Sequence, residues 1–117
     1  MKTSELQGAA LDWAVAKCEG KDNDCEVHAG NVLYGRATSG FIQYRPSTDW
    51  AQGGPIIERE RVGVEPWGTD KTWLAQNYNE AGRILQRQYG PTPLIAAMRC
   101  YVASKRGAEI ELPIELI

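Results

Sequence analysis

What this chain has little of narrows its function first. It has no basic excess: 13 Lys and Arg stand against 15 Asp and Glu, for a net charge of −2. Proteins that grip nucleic acid without regard to sequence usually carry surplus positive charge to displace counterions from phosphates, so a generic nucleic-acid binder is disfavoured. Cysteine is scarce and odd in number, with Cys18, Cys25 and Cys100 irregularly spaced. That excludes the evenly paired framework of a small secreted domain and reads as reduced thiols in a cytosol. Histidine occurs once, at His28, in no recognisable motif. A serine or cysteine nucleophile generally needs such a base beside it, so nucleophilic catalysis has little support. Cys25 and His28, with Cys18 nearby, lack the paired C-x-x-C spacing of structural zinc sites, and incidental thiols are the better reading. No apolar run resembles a signal peptide or is long enough to span a membrane. Internal repeats, low-complexity tracts and linkers are also missing.

What is present fits one globular domain over residues 1–117, with 43% hydrophobic and 24% charged residues. Ser4 and Gln7 have capping-box spacing, and Thr3 is a competing cap. Leu11, Ala14, Val15 and Cys18 then fall on one helical face, with Trp13 to one side and Gly20 as the stop. Gly8 is a weak point, so the first turn is expected to stand apart. Lys21 to Asp24 reads as a polar turn. Val32–Tyr34, Phe41–Tyr44, Ile56–Val64 and Thr72–Leu74 read as strands. The glycine-marked connections between them are too short for crossover helices, which predicts an antiparallel meander. Residues 77–82 read as a loop, and 83–88 fit either a strand or a helical turn. A second helix is predicted from Thr92 as cap and Pro93 at its first position. Its stripe is Leu94, Ala97, Met98, Tyr101 and Val102, and Lys105, Arg106 and Gly107 close it. Glu109 to Leu112 alternates like a terminal strand, which Pro113 would confine to an edge. The fold class expected is α+β: an antiparallel sheet of several short strands with an N-terminal and a C-terminal helix packed on it.

The stretch STDWAQGGPIIERER, Ser47 to Arg61, gathers the residues most suited to a ligand. Trp50 offers a flat face for a base or sugar. Gly53 and Gly54 let the backbone approach closely and could aim amides at an anion. Asp49 could accept from hydroxyl or amino groups, and Gln52 can donate and accept. No Lys and Ser/Thr follow the glycines, so this is not a Walker A loop, nor is it a dinucleotide fingerprint. The competing reading is a hairpin turn in which Asp49 caps the backbone and Trp50 closes the core. If the following residues form a strand, Arg59 and Arg61 share one face and could grip a phosphate, while Glu58 and Glu60 share the other. An exposed edge protected by charge explains the glutamates as well. Asp12, Asp49, Glu58 and Glu60 are the available general acids or bases. Thr92, at a helix start with free amides, is a further anion candidate. Among the aromatics, Trp13, Trp73 and Tyr101 suit the core. Trp50, Trp67 and Tyr78 suit a ligand wall or a subunit contact.

Three stretches together carry a family resemblance. They are KTSEL running into ALDWAVAK (residues 2–17), PSTDWAQGGPIIERE (46–60) and GPTPLIAAMRCYVAS (90–104). They are similar to the NinX-like proteins of tailed bacteriophages, small accessory proteins named for an early phage gene region. The resemblance implies a phage protein acting in the host cell cytoplasm, and it implies no reaction. By analogy of size and lifestyle, one expectation is an anti-defence sponge without cofactor or metal. It would hold a small nucleotide-derived immune signal, either a cyclic oligonucleotide or an ADP-ribose type. Its ligand-binding residues would be Asp49, Trp50, Gln52, Gly53, Gly54, Arg59, Arg61 and Thr92. A protein-interaction module that inhibits a host protein is the alternative. Its motivation is the aromatic content and a C-terminal segment, Ile110 to Leu116, that could extend a partner's sheet. A small nucleotide hydrolase using Glu58 or Asp49 ranks last. Membrane attachment and sequence-specific nucleic-acid binding are not expected. A thin layer of sheet and two helices leaves a sheet face to cover, so a homo-oligomer, dimer or higher, is expected.

Overall fold

A computed structural model describes residues 1–36 and 40–117. Among the described residues, three helices, α1 (Gly8–Cys18), α2 (Trp50–Glu60) and α3 (Pro93–Arg106), accompany six strands. The strands are β1 (Cys25–His28), β2 (Asn31–Arg36), β3 (Gly40–Gln43), β4 (Gly63–Trp67), β5 (Thr72–Tyr78) and β6 (Ile84–Gly90). The fold is α+β and every strand pair is antiparallel. The expected meander is in fact two, β1-β2-β3 and β4-β5-β6, with α2 between them in the chain.

The first hairpin turns at Ala29 and Gly30, both at positive φ (50° and 79°). That is the two-residue turn whose twist matches the flanking strands, and glycine suits its second position. Residues 84–90 resolve as a strand, β6, paired with β5. Leu85 is the extra residue where the register shifts beside Asn77 and Tyr78.

Helix α3 is the hub. Leu94, Ala96, Ala97, Met98, Cys100, Tyr101, Val102 and Ala103 are buried, more than one helical stripe. A helix buried on several sides must be covered on several sides. It lies on β5 and β6 and also meets α1, α2 and β4. Helix α1 reaches the core mainly through α3, with a smaller contact to β2. The first turn does stand apart, as a 3-10 turn at Thr3–Glu5. The capping box is not formed: α1 begins at Gln7 with no side-chain cap. Thr3 is buried instead, its hydroxyl donating to the Gly107 carbonyl at 2.8 Å.

Two expectations about strands fail. Residues 56–60 belong to α2 and only residues 63–67 extend as β4. The segment Glu109 to Leu112 joins neither sheet; it makes an isolated bridge, Lys2 with Glu109. Ile114–Leu116 is a 3-10 turn. Among the described residues, no helix is long and apolar enough to cross a membrane.

Candidate functional site

The stretch from Ser47 to Arg61 is neither a ligand loop nor a hairpin turn. Asp49 is the N-cap of α2, its carboxylate accepting from the Ala51 amide at 3.0 Å. An acidic side chain there satisfies an otherwise orphan donor. Gly53 lies inside the helix and its amide donates to the Asp49 carbonyl at 2.9 Å, so it is not available to an anion. The absence of a side chain at Gly53 has a packing cause. An added Cβ would lie 2.3 Å from the Pro46 carbonyl oxygen and 2.7 Å from Leu94 Cδ2. Gly54 is also helical but faces open space. Gln52 is committed at both ends: its carbonyl accepts from the Arg45 amide at 2.7 Å and its NH2 donates to the Gln43 carbonyl at 2.9 Å. It latches α2 to the end of β3. Trp50 does not close the core; it is 56% exposed.

The helix also undoes the expected strand pairing of charges. Residues two apart on a helix point about 200° apart, so Glu58 and Glu60 do not share a face, and Arg61 lies past the helix end, so no strand alternation pairs it with Arg59. Arg59 donates to both oxygens of Glu19, at 3.0 and 2.6 Å, and to Glu60 at 2.8 Å. Tyr101 also donates to Glu19, and Lys105 pairs with Glu60 at 3.2 Å. This network ties the ends of α1 and α2 to α3. Burial works to raise the Glu19 carboxyl, but the hydrogen bonds from Arg59 and Tyr101 outweigh it and hold the group below its usual range. Glu19 and Tyr101 carry no site signal in the sequence, because nothing local joins positions 19, 59 and 101. Arg61 is the left-handed C-cap of α2 (φ 54°, ψ 45°) and forms no ion pair among the described residues. Thr92 caps α3, its hydroxyl accepting from the Ile95 amide at 3.1 Å.

The expected ligand set therefore does not converge. Helix α2 is about 16 Å long, and Trp50 and Arg61 mark its two ends. What does converge lies at its C-terminal end. A groove of about 890 Å³ is bounded by Arg59, Glu60 and Arg61 on one side and by Tyr78 at the end of β5 and Asn79 and Glu80 of the β5–β6 connection on the other. Gly63 and Gly82 complete its backbone walls. Tyr78 is half-exposed there. Asn79 accepts from the Arg83 amide at 2.9 Å through its side-chain oxygen. The loop expected over residues 77–82 is shorter: Asn77 and Tyr78 still pair in β5, because β6 extends to meet them, and the approach of the connection to α2 is a tertiary fact. A smaller cavity of about 250 Å³ lies on the other side of Arg59, between α2 and the first sheet. Lys21, Tyr34 and Tyr44 line it, and the Lys21 ammonium sits 4.6 Å from the Tyr34 ring centre.

Groups suited to covalent chemistry are not gathered here. Burial pushes the Cys25 and Cys100 thiols up to about 11, which keeps them protonated near neutrality. Among the described residues, no three His, Cys, Asp or Glu side chains are placed to hold a metal. Asp12 is the one strongly perturbed carboxylate, raised to about 6 by burial, against the opposing effects of its Ser47 bond and the nearby Arg45 charge. It accepts from the Ser47 amide at 2.9 Å and so fixes the turn that leads into α2.

The family model described as bacteriophage P22 NinX matches residues 2–105, nearly the whole chain. The chain belongs to the phage NinX family. Among curated proteins, none matches it. The matched span contains the groove, the Arg59 network and all three helices except the last residue of α3.

Proposed function

We propose that the protein binds a small anionic nucleotide in the groove at the C-terminal end of α2, and acts as a sponge for a nucleotide-derived host immune signal. The observation that carries this reading is the meeting of Arg59, Arg61, Tyr78 and Asn79 on one groove of about 890 Å³. That volume lies within the range of small-molecule sites. Arg61, without a carboxylate partner among the described residues, is the guanidinium available to a phosphate. Tyr78 offers a ring on which a base can stack. Asn79 keeps its NH2 group for a base edge. Arg59 is held by Glu19 and Glu60 and adds little attraction of its own. Glu60 and Glu80 offset the two arginines, so a bare polyphosphate gains little. A ligand that also carries hydroxyl or amino donors for Glu80 gains more, which favours a cyclic oligonucleotide or an ADP-ribose derivative. The phage family supports the sponge role by analogy of lifestyle only.

Calorimetry against a panel of cyclic dinucleotides, ADP-ribose and pyrophosphate tests this. Micromolar binding of a nucleotide but not of pyrophosphate is expected, with the ligand recovered intact. Arg61→Ala should weaken binding about tenfold or more and Tyr78→Ala by about 5- to 100-fold. Trp50→Ala should leave it unchanged. No binding of any nucleotide at ~100 μM, or full affinity in Arg61→Ala, removes the proposal.

One observation favours a second reading, inhibition of a host protein. Trp50 stands exposed at the start of α2 and lines none of the cavities described above. Exposed tryptophans are frequent anchors of protein contacts. Capture of one stoichiometric host protein, lost in Trp50→Ala while nucleotide binding is absent, would favour this reading over the first.

A further inference from the structure

Helix α3 covers one face of the second sheet; the other face has no cover within the described chain. Residues directly paired across strands share a face. Glu65, Leu74 and Tyr89 form one such row, and Gly63, Gln76 and Arg87 another. Trp67, Thr72 and Tyr78 lie on the same face by alternation, and Ile84 joins them opposite Tyr78. Trp67, Tyr78, Tyr89, Ile84 and the bulged Leu85 are all between two-fifths and about half exposed. The Trp67 and Tyr89 rings meet edge to face at 5.7 Å. Leu74, opposite Tyr89, is 1% exposed although it lies outside the main core cluster. The face thus has a small core of its own, roofed by aromatic rings that are themselves half in water.

We propose that this face is where two copies of the chain meet about a twofold axis. Its charges say why the occupant is a second copy. Glu65 is on β4 and Arg87 on β6, on opposite sides of the central strand and one row apart. Neither forms an ion pair among the described residues. Arg87 donates through Nε to Gln76 at 3.3 Å, which holds the guanidinium on this face. A twofold axis lying obliquely in the plane of the face sets Glu65 of each copy against Arg87 of the other. The pair then forms twice, as an isologous contact requires. Tyr89, across the central strand from Glu65, then packs over the central strand of the other copy. The face measures about 14 by 23 Å, three strands by seven residues, or roughly 300 Å² in projection. That is well below the ~800 Å² per partner of a standard interface, so the dimer is weak.

Sedimentation of the full chain between about 5 and 500 μM tests this, with dissociation expected in the tens of micromolar. Glu65→Arg and Arg87→Glu alone should each weaken the dimer at least about fivefold, through like charges brought together. The double exchange E65R/R87E should restore it, which also shows that the single variants do not act by misfolding. A chain that stays monomeric to the highest concentration overturns the proposal and leaves the face to a different partner. A dimer indifferent to either single reversal, or not restored by the exchange, overturns it too. Tyr78 belongs to both this face and the groove, so the sedimentation is run without nucleotide, and the charge exchange at Glu65 and Arg87 leaves the groove lining untouched.

Discussion

Helices α2 and α3 both start at a side-chain cap, Asp49 in one and Thr92 in the other, and both contain proline. Pro93 stands in the first turn of α3, where its missing N–H is no loss. Pro55 stands inside α2, directly after Gly53 and Gly54. Relative to alanine at those three positions, α2 is roughly 5 kcal/mol less favourable as an isolated helix. It forms because of what it touches. Gly53 sits against Pro46 and Leu94, Gln52 is latched to β3, and Arg59 is clamped by Glu19. Helix α3 is favoured locally and also buried on several sides. The same cap and the same secondary structure thus rest on different links of the chain, tertiary contact for α2 and local preference reinforced by burial for α3.

The largest expected break in this comparison is Gly53→Ala. A methyl group within 2.3 Å of a backbone carbonyl cannot be absorbed by a side-chain shift. About 3 kcal/mol or more of stability should be lost, near 10 °C in Tm by calorimetry, even though alanine is the better helix former.

Next comes the support at the entrance to α2. Asp12 has its pKa raised from 3.8 to about 6 in the fold, so the folded state binds more protons than the unfolded chain across that window. The Asp12 contribution to stability must then fall as pH rises from about 4 to 6, by about 3 kcal/mol. Asp12→Asn keeps an acceptor for the Ser47 amide and removes this slope. Denaturant titrations at pH 4 and pH 7 should find the variant more stable than the parent at pH 7 and little changed at pH 4.

The caps come third. Asp49→Ala and Thr92→Ala should each cost about 1 kcal/mol. They should differ in kind by hydrogen exchange. The first should raise exchange of α2 amides alone, by local opening, and the second should lower protection throughout the core.

The smallest effect has the opposite sign. Gly54→Ala meets open space at a helical position and should stabilise the protein by about 0.5–1 kcal/mol. The contrast between neighbouring glycines separates packing from propensity in a single helix.

These differences also explain how legible the chain was. Helix α3 was readable from Thr92 to Gly107 because every local signal agreed, and α1 from its stripe and Gly20. Helix α2 is not legible in the sequence because Gly-Gly-Pro carries the local signature of a turn, while the contacts that override it come from Pro46, Leu94 and Glu19. The cap at Asp49 is a local clue, and it fits a turn as well as a helix start. The groove was half legible. The sequence points to Arg59 and Arg61, but through a strand alternation that does not exist. Tyr78 reads as a loop aromatic and its neighbours in the groove stay hidden, because pairing β5 with β6 and laying their connection beside α2 are long-range events. Glu65 and Arg87 carried no signal, since only the strand register puts them on one face.

The most direct test of the central claim, that recognition lies at the end of α2 and not at its glycines, is a titration followed by amide NMR with a cyclic dinucleotide and with ADP-ribose. Resonances of Arg61, Gly63 and Asn79 to Gly82 should move with at least one of the two, while the Gly53 amide stays protected and the Trp50 indole stays still. Shifts centred on Trp50, Gly53 and Gly54, or no shifts with either ligand, would contradict it.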